Sequence, residues 1–136
     1  MSKIVALDFG MKRIGVAITD DLNIIASGLD TVSNENIISF LKNLILKNNI
    51  NIIVVGKPVQ KNNQPSDVEF EILKFIKKLK SNFPTIKLDR CDERFTSVIA
   101  KRVILESGVN KTKRRNKSLV DKISATIILQ SYLENI

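Results

Sequence analysis

The sequence predicts an α/β domain: a mixed sheet of about five strands, the first three antiparallel, with helices on both faces. Three observations lead there. Two short apolar runs near the N-terminus are separated by a turn alone. Two later strand-like runs, one rich in β-branched residues and one with Ile86 and Leu88 alternating, each follow a stretch with helical apolar spacing. The 136 residues, 43% hydrophobic and 26% charged, suffice for one core, so residues 1–136 read as a single domain.

The first strand is Ile4-Val5-Ala6-Leu7-Asp8-Phe9, nearly all apolar with one carboxylate near its end. Gly10-Met11-Lys12-Arg13 supplies a turn, and Ile14 to Thr19 returns as the second strand of a hairpin. Ile24 to Val32 reads as a third strand, interrupted by Gly28. Ser33 or Asn34 can cap a helix whose apolar positions are Ile37, Leu41, Leu44 and Ile45. Ile50 to Val55, closed by Gly56, has the composition of a strand buried on both faces.

Lys57 to Pro65 is a polar loop. Ser66-x-x-Glu69 is a capping-box signature ahead of a helix with Ile72, Leu73, Ile76 and Leu79 on its apolar stripe. Thr85 to Cys91 reads as the last strand. Thr96 can cap a further helix ended by Gly108, and Ser118 caps a final helix to about Leu133. The inward side of that helix is expected at Ile123, Ile127 and Gln130, beside Val120 and Ser124.

Composition removes whole classes of chemistry. There is no histidine and only one cysteine, Cys91, which excludes a disulfide framework, the usual zinc sites and His-based catalysis. Cys91 itself reads as a small buried residue. No apolar run approaches the roughly 20 residues of a membrane span, and the first strand begins at once, so a soluble, cytoplasmic protein without signal peptide is expected.

The net charge is +8 and is concentrated. Between Arg94 and Lys122 stand nine basic residues against Glu106 and Asp121, which accounts for nearly all of the excess. Such clustering is the footprint of a polyanion partner, with a solvated basic loop as the alternative. Nucleic-acid contacts are expected from Lys12, Arg13, Arg94, Lys111, Lys113, Arg114, Arg115 and Lys117. A membrane partner is not expected.

Three carboxylate sites stand out. Asp8 near the end of an apolar strand is costly to bury without a metal or donor, although it can also accept N–H bonds from the adjoining turn. Asp92-Glu93 closes the last strand, where open α/β sheets place ligands, or it stabilises the start of the following helix. Asp121 completes Ser118-x-x-Asp121, a variant capping box directly behind the basic segment. Acidic ligands without His or Cys suit Mg²⁺ or Mn²⁺. Two such ions about 4 Å apart can activate water and stabilise the leaving oxygen of a phosphodiester.

The motif Ala6-Leu7-Asp8-Phe9-Gly10-Met11-Lys12-Arg13-Ile14-Gly15-Val16-Ala17 resembles the opening of the YqgF family, also called RuvX-type Holliday junction resolvases. Val54-Val55-Gly56-Lys57-Pro58, Asp92-Glu93-Arg94-Phe95-Thr96 and Val120-Asp121-Lys122-Ile123 continue the family's order over essentially the whole chain. The resemblance implies a ribonuclease H-like fold and a metal-dependent nuclease. Its active site would be Asp8, Glu93 and Asp121, with Asp92 as a further metal-ligand candidate. Met11 and Lys57 depart from the family pattern, and Ser124 stands where RuvC-like enzymes have a fourth acidic residue, which leaves one and two metal ions both open.

The function implied is 5′-end maturation of precursor 16S rRNA, with ribosomal particles as partners and a monomer or homodimer as the active form. The alternatives are a Holliday junction resolvase acting on branched DNA and a non-catalytic RNA-binding assembly factor. A nucleotide-handling protein of the actin/hexokinase kind shares the Asp8-x-Gly10 hairpin, but needs two such domains around a cleft.

Overall fold

The computed structural model describes residues 2–58, 68–92 and 117–134, with 117–121 described by their backbone alone. Among these residues lie β1 (Lys3–Phe9), β2 (Arg13–Thr19), β3 (Ala26–Ser33), α1 (Ile37–Lys47), β4 (Ile50–Lys57), α2 (Val68–Asn82), β5 (Lys87–Asp92) and α3 (Lys117–Glu134). They form one sheet in the order β3-β2-β1-β4-β5. β1, β2 and β3 pair antiparallel, whereas β4 and β5 run parallel to β1. The expected mixed sheet, with its antiparallel first half, is what forms.

Strand alternation divides the core. Val5 and Leu7 of β1, Ile14 and Val16 of β2 and Val55 of β4 face α1 and α2. Ile4, Ala6, Ala17 and Val54 face α3, where Ala125, Ile128, Leu129 and Tyr132 cover them. β1 and β4 are apolar on both sides because both sides are covered.

The seat of α3 follows from small residues. Gly28, Ala17, Ala6, Val54 and Asp89 are successive register partners across all five strands. At one end, a Cβ built on Gly28 would stand 2.6 Å from Lys122 Cγ and 3.0 Å from Thr126 Oγ1. At the other, Tyr132 Oη donates to Asp89 Oδ2 at 2.8 Å. The helix therefore crosses the strands along a row whose first three members carry no side chain beyond Cβ.

Several boundaries and faces differ from expectation. β3 begins at Ala26 because Asp20 Oδ1 accepts from the N–H groups of Ile24 and Ile25, at 2.8 and 3.0 Å, and holds these residues in a loop. β5 begins at Lys87 because the Ile86 N–H closes a turn on Phe83 O. Lys57 belongs to β4 rather than to the loop. On α3, Gln130 is exposed, while Ala125, Ile128, Leu129 and Tyr132 turn inward. On α2, Leu73 is exposed and Phe75 is buried in its place. Asn36, not Ser33 or Asn34, precedes α1, and makes no side-chain cap. Ser66 and the expected helix from Thr96 to Gly108 lie outside the described residues. No described helix is long and apolar enough to cross a membrane.

Candidate active site

Asp8 is the second-last residue of β1, half-buried, on the face that α3 covers. Its register partner on β2 is Gly15. On the other side, one residue beyond the Leu7–Val55 pair, the β4 residue is Gly56. The carboxylate is thus flanked by glycine on both neighbouring strands at the carboxyl edge of the parallel half of the sheet. Neither glycine contributes a side chain beside the carboxylate, at the edge where open α/β sheets place their ligands.

Gly56 pairs in turn with Cys91 of β5. Cys91 is half-buried rather than buried because β5 is an edge strand, and its Sγ lies 3.7 Å from Ile128 O. Asp92, the next residue, is exposed and alternates onto the face of Leu88 and Arg90, opposite to Asp8. The sheet thus separates Asp92 from Asp8. Asp121 lies within the first turns of α3, four and seven residues before the buried Ala125 and Ile128. Lys12 is exposed in the β1–β2 turn, Arg13 opens β2, and Lys117 is the first residue of α3. Glu93, Arg94, Lys111, Lys113, Arg114 and Arg115 lie outside the described residues.

Two supports beside this edge escaped the sequence reading. Arg90 Nη2 donates to Glu69 Oε1 at 2.7 Å and to Gly56 O at 3.0 Å, while its Nε donates to Val55 O at 3.1 Å. Glu69 is buried against Arg90, while its expected capping-box partner Ser66 lies outside the described residues. A single Arg thereby ties β5 to the end of β4 and to α2. The second support is Tyr132 on Asp89. That hydrogen bond, then the Arg90 N–H, holds the Asp89 carboxyl below its usual range. Burial, followed by the same bond, pushes the Tyr132 hydroxyl up to about 12. Lone Arg, Tyr and Asp residues carry no spacing signal, which is why neither pair was legible.

A family profile described as "RuvX: Holliday junction resolvase" matches residues 2–135. The chain belongs to the RuvX family. It is 48% identical over 133 residues to a protein of Flavobacterium psychrophilum named "Putative pre-16S rRNA nuclease", covering 98% of this chain and 97% of that one. A Bacteroides thetaiotaomicron relative of the same name is 47% identical over 135 residues, covering 99% and 98%. Among solved structures, Thermus thermophilus RuvC in complex with a Holliday junction substrate superimposes with a TM-score of 0.60. It is 12% identical, over 99% of this chain and 95% of that one. Fowlpox virus resolvase with Holliday junction DNA gives 0.56 at 16% identity, over 98% and 97%. This RuvX protein has the ribonuclease H-like resolvase fold, and its class is nuclease, a phosphodiester hydrolase, as the four motifs imply.

Proposed function

We propose that this chain cleaves precursor 16S rRNA in 5′-end maturation, with Asp8, Glu93 and Asp121 as its catalytic carboxylates. The observation that carries the reading is the half-buried Asp8 between Gly15 and Gly56, at the carboxyl edge of the parallel strands. The choice of substrate rests on the relatives, which carry the pre-16S rRNA name.

Asp8, Glu93 and Asp121 would hold Mg²⁺ or Mn²⁺. The fit lies in the donor set: carboxylate oxygens in a chain without histidine suit hard cations. Among the described residues no cluster of three ligating side chains forms, since Glu93 falls outside them and Asp121 is described by backbone alone. Such a cation supplies positive charge that acidifies water and stabilises a departing oxygen. The chain's own residues do the rest. The row of small residues seats α3 against the sheet that carries Asp8, and Asp121 stands in the first turns of that helix. Lys12, Arg13, Arg94 and the segment Lys111, Lys113, Arg114, Arg115 and Lys117 neutralise backbone phosphates. With no Trp and one Tyr, recognition proceeds by backbone and shape more than by stacking.

The test is cleavage of a labelled 5′-extended 16S precursor and of a four-way DNA junction, each with Mg²⁺, Mn²⁺ or EDTA. Metal-dependent cutting of the RNA, lost in Asp8→Asn with binding retained, is the expected result. Cutting of the junction alone, by a homodimer, would replace this reading with a resolvase. Salt-sensitive binding without cutting of either substrate, also with ribosomal particles added, would leave an RNA-binding assembly factor.

A further inference from the structure

The β1–β2 turn carries an arrangement that the carboxylates do not explain. Asn34, in the loop between β3 and α1, donates its Nδ2 to two consecutive carbonyls, Gly10 O at 2.9 Å and Met11 O at 3.0 Å. Its own N–H bonds Lys12 O at 3.3 Å. The assignment of the amide is fixed, because the reverse orientation would set Oδ1 against two carbonyl oxygens. That oxygen is buried and has no partner among the described residues. An unpartnered buried acceptor is a cost, and the fold retains it to keep the amide nitrogen on the turn.

Peptide geometry turns this clamp into a site. In a trans peptide the N–H points away from the preceding C=O, and the described chain has no cis bond. With Gly10 O and Met11 O drawn inward to Asn34, the N–H groups of Met11 and Lys12 point away from it. Met11 is 63% exposed and Lys12 is exposed, so that side is solvent. Neither residue has a positive φ, and neither N–H donates to a backbone or side-chain acceptor among the described residues. The hairpin closes instead through Gly10 N on Arg13 O at 3.0 Å. A Cβ on Gly10 would stand 2.6 Å from that same oxygen, so only glycine allows the closure.

We propose that the Met11 and Lys12 amides, with the Lys12 ammonium beside them, form a phosphate-binding nest preset by Asn34. Paired outward N–H groups make an anion site of this kind. The ligand class is a phosphate monoanion or dianion. In a nucleic acid it is a backbone phosphate held three and four residues along the chain from Asp8, and this last assignment rests on the nuclease reading. Asn34 is a positioning residue here: it touches the turn and not the phosphate.

The experiment is an amide ¹H–¹⁵N titration of the full chain with inorganic phosphate, without metal, so that cleavage plays no part. The Met11 and Lys12 amide protons are expected to move downfield together and to saturate. In Asn34→Ala the affinity read from these two signals falls about tenfold, the scale of one charge-assisted hydrogen bond. Met11→Pro removes one amide donor while keeping φ negative, and is expected to weaken phosphate to the same degree when Met11→Ala does not. Unfolding of Asn34→Ala would show as collapsed dispersion across the spectrum, in which case the two Met11 variants decide. Phosphate shifts confined to the basic segment 109–117, or equal affinity in Met11→Pro and Met11→Ala, would overturn the proposal. Failure of RNA cleavage would leave it standing, since phosphate binding is read directly.

Discussion

The guanidinium of Arg90 and the carboxylate of Glu69 meet at 2.7 and 3.4 Å, with the Glu69 side chain only 9% exposed. The same guanidinium also holds the last carbonyls of β4. One side chain thereby fixes the spacing of β4, β5 and α2 just before β5 reaches Asp92.

Removing one partner of this pair leaves a buried charge or orphaned carbonyls. Arg90→Met and Glu69→Leu are each expected to lower unfolding free energy by about 2–3 kcal/mol. The double variant is expected to lose less than the sum of the two, because neither charge is then stranded. Urea midpoints of the four proteins measure the coupling, and strict additivity would show that the pair acts as two independent residues.

The Tyr132–Asp89 bond predicts a pH signature. The folded-state pKa of Tyr132 is raised from 10.0 to about 12. Its contribution is therefore present below pH 10 and declines as pH rises through that window. Asp89 is depressed from 3.8, so its share is present above that value and is lost as pH falls below it. Tyr132→Phe is expected to cost about 1 kcal/mol at neutral pH. It should also flatten the alkaline fall in Tm relative to wild type. Parallel curves for the two proteins between pH 10 and 12 would rule this linkage out.

The crossing of α3 depends on Gly28, Ala17 and Ala6. Gly28→Val would drive a side chain into Lys122 and Thr126 and is expected to cost about 2 kcal/mol or more. Ala6→Leu should do the same beneath the middle of the helix. Both should lose nuclease turnover more steeply than stability, because α3 carries Asp121. Thermal melts read beside cleavage rates separate the two effects, and unchanged turnover would detach α3 from the site.

The legible part of this protein is periodic. The apolar runs of Ile4 to Phe9 and Ile14 to Thr19 joined by a turn, the β-branched run at Ile50 to Val55 and the helical spacing of Ile37 and Leu41 all formed the elements expected. Asp8 was also legible, since a carboxylate in an apolar run breaks a pattern. The Asn34 clamp was not, because its partners are backbone carbonyls 23 and 24 residues away. The same holds for Arg90, whose meaning depends on a Glu 21 residues earlier and on a neighbouring strand. Asp20 shifted the start of β3 through a local turn that apolar periodicity alone overlooks. Gly28, first read as an interruption, is where a helix 94 residues later comes to rest.

The placement of α3 has a consequence for how this chain is made. Among the described elements, one face of the sheet has its helices, α1 and α2, by residue 82, whereas the helix on the other face, α3, begins only at Lys117. Asp8 and Asp121 are 113 positions apart in the sequence, so most of the domain is synthesised between them. A nascent chain can pair its strands before α3 exists, while its Ala6–Ala17 face is not yet under that helix. The carboxylates proposed to cut RNA, Asp8 and Asp121, are therefore both present in one molecule only once synthesis has reached α3.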